Sequence, residues 1–105
     1  MAARIKFYLD AKYTEKLRLG EVAEKFHIHP NHLSRAFREA FGIAPKPYLE
    51  KLKLGKALRM LRETDAPISL IAASLGFEDQ HAFSKAFRKS QGVSPTDYRK
   101  SGKEK

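Results

Sequence analysis

Residues 34–48 read SRAFREAFGIAPKPY, and fifty positions later residues 84–98 read SKAFRKSQGVSPTDY. Seven of the fifteen positions are identical, and Arg35/Lys85 and Ile43/Val93 are conservative replacements. An internal repeat with two copies predicts one duplicated supersecondary unit rather than a long solenoid. The identical pairs are Ser34/Ser84, Ala36/Ala86, Phe37/Phe87, Arg38/Arg88, Gly42/Gly92, Pro45/Pro95 and Tyr48/Tyr98.

The apolar residues in each copy have helical spacing. Leu33, Phe37 and Phe41 recur at every fourth position in the first copy, and Phe83 and Phe87 do so in the second. Each of these helices is predicted to follow a shorter helix after a turn of three to four residues, which is the outline of a helix-turn-helix. The sequence has no alternating strand pattern and no Asn-Gly or Asp-Gly hairpin, so the predicted fold class is all-α.

Several residues are suited to begin or end these helices. Pro30 fits the first position of the first copy's helix. Gly42 and Gly92 fit the left-handed conformation that ends a helix, and Ser94 fits the cap of the last one. Other apolar residues with helical spacing predict four more helices. A first helix contains Ile5, Tyr8 and Leu9, and a long central helix contains Tyr48, Leu52, Leu58 and Leu61. A short helix precedes each copy, with Leu19, Val22, Ala23 and Phe26 before the first and Ile68, Ile71, Ala72 and Leu75 before the second.

The composition narrows the possible functions. The chain has 105 residues, with 21 Lys and Arg against 12 acidic residues, and its net charge of +9 indicates a polyanionic partner. It has no cysteine, which excludes disulfides, thiolate catalysis and Cys-based zinc sites. No apolar run approaches the ~18 residues of a membrane span, and no signal peptide is recognisable. We therefore predict a cytoplasmic protein without membrane association.

Each helix of the repeat leaves a polar face outside its apolar stripe. In the major groove, Arg and Lys pair with guanine, Asn and Gln with adenine, and Ser with either base. An ordinary solvated face is the alternative for one helix alone, but the same register in two copies of a basic chain favours nucleic-acid binding. The outward residues are Asn31, Ser34, Arg35 and Arg38 in the first copy, and Gln80, His81, Ser84, Lys85 and Arg88 in the second.

Many spaced positions also resemble the AraC/XylS family of bacterial transcription regulators. The likeness covers about residues 5 to 100. It is specific because many positions must agree at once. The matching stretches are Leu19-Gly20-Glu21-Val22-Ala23 and His32-Leu33-Ser34-Arg35-Ala36-Phe37; Lys53-Leu54-Gly55-Lys56-Ala57 and Met60-Leu61; and Ile71-Ala72, Gly76-Phe77, Phe83, Phe87-Arg88, Gly92, Ser94-Pro95 and Tyr98-Arg99.

The resemblance implies a single seven-helix, bilobed domain over residues 1–105. A first helix-turn-helix lobe (1–45) and a second (65–101) would be joined by a long helix (46–64). Each lobe would insert one recognition helix into the major groove, with the two helices about one helical turn, ~34 Å, apart. Carried over by position, the base-contacting residues are Asn31, Ser34, Arg35, Gln80, His81, Ala82 and Lys85. The implied phosphate-contacting residues are Arg38, Lys51, Lys53, Arg88 and Lys89.

The resemblance also implies the partners. They are double-stranded DNA and, as candidates, RNA polymerase and a separate sensing or dimerisation domain outside this chain. The implied location is the bacterial nucleoid. We expect no cofactor and no catalysis. The alternative is a basic helical module that binds nucleic acid without sequence preference, or binds another protein.

Four residues depart from the family pattern, and one of them, Ala82, offers only a methyl group to the groove. Lys53 stands where arginine is frequent, which puts a bidentate phosphate contact in doubt. His29 stands at a helix cap where serine is usual, so we expect a weak start to the first recognition helix. Gly55 lies inside the long helix, where glycine lowers stability by ~0.5–1 kcal/mol relative to alanine.

Three of the four histidines form a His-x-His-x-x-His stretch at His27, His29 and His32. We expect no metal site there. No carboxylate or cysteine lies near in the sequence to complete a ligand set, and the stretch spans a turn and a helix start, which points the rings apart.

Overall fold

The computed structural model describes residues 1–103, and this part of the chain contains seven α-helices and no strand. The predicted all-α, seven-helix fold is confirmed. Glu104 and Lys105, which close the predicted domain, lie outside the described residues. The helices are α1 (Ala2–Lys12), α2 (Leu19–Lys25), α3 (Pro30–Phe41), α4 (Pro45–Glu63), α5 (Ile68–Ser74), α6 (Gln80–Gln91) and α7 (Pro95–Lys103).

The helices form two compact units, and the boundary between the units falls inside α4. The N-terminal unit is Met1–Leu52, and the C-terminal unit begins at Lys53. Each unit has its own apolar core and its own helix-turn-helix, formed by α2 and α3 in the first and by α5 and α6 in the second. The duplication in the sequence is therefore a duplication of packed units.

In the N-terminal unit, α1 and α2 both pack on α3. The Phe37 ring lies 5.3 Å from the Tyr48 ring at the start of α4. The Tyr48 hydroxyl donates a hydrogen bond to Asp10, whose other carboxylate oxygen pairs with Lys6 Nζ at 3.0 Å. Burial, together with the bond to Asp10, raises the pKa of Tyr48 above its ordinary value. The buried core residues are Ile5, Leu9, Val22, Ala23, Leu33, Phe37 and Leu49.

In the C-terminal unit, α6 packs against α5 and α7. The Phe87 ring lies 5.8 Å from Phe83 and 5.6 Å from Tyr98 on α7. Arg99 ties α7 to the end of α4, since its guanidinium donates to the carbonyl oxygens of Leu61 and Thr64, both at 3.2 Å. The buried core residues are Ala57, Leu61, Ile71, Ala72, Leu75, Phe83 and Phe87.

One predicted core residue is not in the core. Leu33 and Phe37 are fully buried as expected, but Phe41 is 37% exposed. It occupies the last helical position before Gly42, and its ring lies 4.8 Å from the Phe37 ring. The apolar stripe of α3 therefore ends one turn earlier than its sequence period suggests.

The two recognition helices have different N-terminal caps. The Asp79 Oδ1 accepts the Ala82 backbone N–H at 2.7 Å, which caps α6 in the ordinary way. At α3 the expectation of a weak start is wrong, because His29 Nδ1 accepts the Asn31 N–H at 3.1 Å. Ser94 caps α7 as predicted by accepting the Asp97 N–H at 3.1 Å.

The two helix-turn-helix turns also differ. Four residues, 26–29, separate α2 from α3, whereas five residues, 75–79, separate α5 from α6. The predicted length of three to four residues is therefore wrong for the second turn. In both turns the second residue is in the left-handed region, which is His27 (φ 58°) in the first turn and Gly76 (φ 80°) in the second. In each, the next residue donates its N–H back to the short helix, Ile28 to Ala23 and Phe77 to Ala72.

Candidate nucleic-acid interface

The buried stripe of α3 fixes which of its residues face water. Leu33 and Phe37 are fully buried, so the positions on the other faces of the helix point outward. Asn31, Arg35 and Arg38 are exposed, and Ser34 is half-buried. The structure thus places all four residues predicted for this helix on its accessible faces.

Three of these residues line one surface depression of about 540 Å³ on the N-terminal unit. Its walls come from Ser34, Arg35 and Arg38, together with Glu39 on α3 and Ala44 just before α4. Glu39 and Ala44 were not among the predicted site residues. The acidic Glu39 could have been noted from the sequence, since it directly follows Arg38, whereas the approach of Ala44 depends on the turn after Gly42.

The α6 helix repeats this arrangement in the C-terminal unit. Phe83 and Phe87 are fully buried, and this pair fixes the register of the helix. Ala82 is half-buried, and its backbone N–H is already used by the Asp79 cap. The remaining predicted residues are all exposed, at Gln80, His81, Lys85, Arg88 and Lys89.

The two lysines predicted on α4 fall in different units. Lys51 is exposed in the N-terminal unit. Lys53 is half-buried, and its Nζ lies 5.2 Å from the centre of the Phe77 ring in the second helix-turn-helix turn. A cation held over an aromatic face is stabilised there, so Lys53 supports the second turn within its own unit.

The charges on α3 and α6 are free to meet a ligand. Within residues 1–103, Arg35, Arg38, Lys85, Arg88 and Lys89 form no ion pair, and the Lys6–Asp10 and Lys12–Glu15 pairs lie outside α3 and α6. Neither helix has an acidic residue in its first turn. Both helices therefore present basic, hydrogen-bonding faces.

Two further findings concern residues 1–103 alone. No group of three or more His, Cys, Asp or Glu side chains in this range is arranged to hold a metal ion. No helix in the same range is long and apolar enough to cross a bilayer.

Comparison with known proteins identifies the family. The sequence profile described as "Helix-turn-helix domain" matches residues 22–101, which include both recognition helices and the whole of α4. The chain belongs to the AraC-type helix-turn-helix family. The resemblance to AraC/XylS regulators that the sequence predicted is confirmed.

Solved structures of this AraC-type family share the fold. The C-terminal domain of AraT, a response regulator from Geobacillus stearothermophilus, is 37% identical with a TM-score of 0.90, and the match covers 95% of this chain and 84% of that one. The DNA-binding domain of AdpA, a global transcriptional factor solved in complex with a target DNA, is 25% identical with a TM-score of 0.87, over 95% of this chain and 90% of that one.

Relatives of the AraC-type chain are named as regulators. The uncharacterized HTH-type transcriptional regulator YisR of Bacillus subtilis is 33% identical over 93 residues, covering 89% of this chain and 32% of YisR. YijO of Escherichia coli, also named an uncharacterized HTH-type transcriptional regulator, is 34% identical over 91% of this chain and 34% of its own length. The chain thus spans about a third of the length of these relatives.

Proposed function

We propose that this chain binds double-stranded DNA sequence-specifically and thereby regulates transcription in a bacterium. One observation carries the proposal: α3 and α6 hold the same buried register in two units and expose corresponding basic and hydrogen-bonding residues. The DNA complex of AdpA and the names of the relatives support it. In the proposal, α3 and α6 each enter a major groove, in successive turns of the duplex.

The proposed base contacts follow from side-chain chemistry. Arg35 presents a planar fork that fits the two acceptors of guanine, and Asn31 fits the donor–acceptor pair of adenine. Ser34 lies in the same depression as Arg35, where its hydroxyl would meet either base. On α6 the proposed base contacts are Gln80, His81, Ala82 and Lys85, with Ala82 offering a methyl group to thymine.

The proposed phosphate contacts flank the base-reading residues. Arg38 and Arg88 occupy equivalent positions one turn after Arg35 and Lys85, and Lys89 follows directly. Cations at such positions fix the register of a protein on the duplex without reading its sequence. Lys51 and Lys53 are the further candidates, and Lys53 would have to share its charge with the Phe77 ring.

The wider role is also a proposal. We take residues 1–45 and 65–101 as the two DNA-reading lobes and 46–64 as their connecting helix within one domain. The protein would have no catalytic activity and no cofactor, and it would act at the nucleoid in the cytoplasm. We propose two further partners. One is RNA polymerase, and the other is a sensing or dimerisation domain, for which the extra length of the relatives leaves room.

Selection of bound duplexes from a random DNA pool tests the proposal. We expect one enriched site with two half-sites about 10.5 base pairs apart, centre to centre. Competition at fixed salt should then show that this site binds at least ~10³-fold more tightly than unrelated duplex. Binding without enrichment would instead favour the alternative, a basic module without sequence preference.

A further inference from the structure

The α1 helix has a second apolar face that its own unit does not cover. Ile5 and Leu9 point into the core and are fully buried. Ala3, Phe7 and Ala11 point outward, and Phe7 is 77% exposed. These three residues are spaced by four, so they form a single ridge along the helix. None of them is a proposed DNA contact.

This ridge borders an apolar groove of about 630 Å³ between α1 and α2. The floor of the groove includes the Tyr8 and Phe26 rings, which pack edge to face at 5.8 Å and are half-buried. A small alanine lies one turn before and one turn after Phe7. Small residues beside a large one leave space for a second helix to approach and seat its own large side chains.

The charged residues that line the groove are all cationic. They are Arg4 and Lys12 on α1 and Lys25 at the end of α2. Lys25 Nζ stands over the Tyr8 ring at 5.2 Å, and Lys12 is 3.5 Å from Glu15. Within residues 1–103, Arg4 has no carboxylate at ion-pair distance. An apolar floor with a cationic rim is complementary to a helix with apolar anchors and acidic flanks.

We propose that this α1–α2 groove docks an acidic amphipathic helix of another protein. A second copy of this chain would bring the same three cations against themselves, which disfavours a symmetric pair at this surface. The phosphates of a duplex could pair with the rim cations, but they would leave the exposed Phe7 ring and the apolar floor without an apolar partner. The proposal is independent of DNA reading, since it uses none of the residues of α3 or α6.

A labelled model peptide tests the proposal. The probe is an acetylated helix of ~18 residues, with leucine at positions i, i+4, i+7 and i+11 and glutamate beside them; the control peptide has lysine in place of each glutamate. We expect the acidic peptide to bind the 105-residue chain saturably and the lysine control peptide not to bind. Amide NMR shifts should then change in α1 and α2. Shifts confined to α3 and α6 would mean that the peptide only imitates DNA, and they would overturn the proposal.

Two variants sharpen the test. Phe7→Gln removes the exposed ring without changing the charge, and it should weaken peptide binding at least ~10-fold. It should leave the affinity for the selected DNA site unchanged. Arg4→Gln should weaken peptide binding at low salt, and this difference should shrink as salt is raised. The matched control is Leu70→Gln, which alters another exposed apolar residue, on α5, and should change nothing.

Three other results would overturn the proposal. One is peptide binding that Phe7→Gln does not weaken. Another is a dimer, detected by sedimentation, that Phe7→Gln dissociates, because the groove would then belong to a second copy. The third is binding to anionic vesicles that depends on Phe7, because the face would then be a membrane contact. A failure of DNA selection would leave each of these readouts intact, so the two proposals can fail separately.

Discussion

The two helix-turn-helix units reach the same packing through different turns. Both bury two apolar residues of the recognition helix against a short helix. The first turn has four residues and places His27 second, in the left-handed region, whereas the second turn has five residues and places Gly76 there. The first recognition helix is capped by an imidazole and the second by a carboxylate.

This difference shows which part of the duplicated unit is constrained. The buried positions must keep their helical register, because a slip would turn charged residues into the core. A turn must satisfy the exposed backbone groups at two helix ends, and several combinations of residues do this. The recognition helices therefore correspond at an offset of fifty residues. The short helices before them correspond at an offset of one residue less, because the second turn is one residue longer.

The outward faces differ as well, and in a way that bears on function. Arg35 in the first unit corresponds to Lys85 in the second, and Asn31 corresponds to His81. Arginine presents a planar fork, whereas lysine is a point charge that suits phosphate as well as a base. We therefore expect the half-site under α3 to be the richer in sequence information, and the half-site under α6 to rely more on phosphate contacts.

The largest expected effect tests whether the two cores are equivalent. Phe37→Ala and Phe87→Ala each remove a fully buried ring, and each should lower the free energy of unfolding by ~3–5 kcal/mol. Denaturant titration measures the loss. Phe41→Ala is the matched control, since its partly exposed ring should contribute much less. If both variants melted within about two degrees of the parent, the rings would be exposed and the helix register would be wrong; if only one did, the two cores would not be equivalent.

The next effect compares base reading by the two helices. Arg35→Ala should weaken binding to the selected site by ~1–3 kcal/mol and relax preference at one base position. Lys85→Ala should lose less affinity for the selected site than Arg35→Ala, and it should relax the base preference less. The measurement is binding to every single-base variant of the site at fixed salt. Arg35→Lys keeps the charge, so it should lose the base preference while retaining most of the non-specific affinity. A uniform loss for Arg35→Ala across all sequences would make Arg35 a phosphate contact instead.

A smaller effect concerns the phosphate contacts of the second unit. Arg88→Ala and Lys89→Ala should each flatten the slope of log affinity against log salt by ~0.9, because each removes one phosphate contact. Arg38→Ala makes the same test in the first unit. Salt titrations on the selected site give the three slopes. Unchanged slopes for Arg88→Ala and Lys89→Ala, with stronger base preference under α6, would reverse the proposed division between the half-sites.

The smallest effect tests the difference between the turns. A non-glycine residue in the left-handed region is strained by ~1–2 kcal/mol, while glycine adds ~0.5–1 kcal/mol of entropy to the unfolded chain. His27→Gly should therefore raise the free energy of unfolding by about 0–1.5 kcal/mol. The counterpart, Gly76→Ala, should lower it, since alanine would then adopt φ near 80°. If His27→Gly lowered the free energy of unfolding and Gly76→Ala raised it, the two turns would not be equivalent in conformation.

The sequence predicted the helices and their buried register well, because both depend on local spacing. The pairs Leu33 and Phe37, and Phe83 and Phe87, are the core anchors that the period indicates. The features that the sequence did not predict depend on contacts between residues far apart in the chain or on the path of a turn. The Lys53 ammonium over Phe77 is one such contact, and the position of Ala44 in the same depression as Arg35 depends on the turn after α3.

The candidate interface was predictable for the same reason, and the groove on α1 was not. Residues opposite a buried stripe must face water, so the outward set of α3 follows from Leu33 and Phe37. The spacing of Ile5, Tyr8 and Leu9 predicts the covered face of α1, and Ile5 and Leu9 are buried there. What the spacing does not predict is a second apolar ridge at Phe7 that stays exposed and borders a groove beside α2.

In the proposed function, stability and DNA recognition use different faces of the same two helices, so the two properties can evolve separately. Arg35 and Lys85 are exposed, whereas Phe37 and Phe87 are fully buried, so we expect substitutions at Arg35 and Lys85 to leave both cores intact. After duplication, each copy could therefore acquire a new base preference without passing through unfolded intermediates. The same separation makes the chain a scaffold for combinatorial libraries, in which the exposed positions of α3 and α6 are randomised and selected against chosen operators.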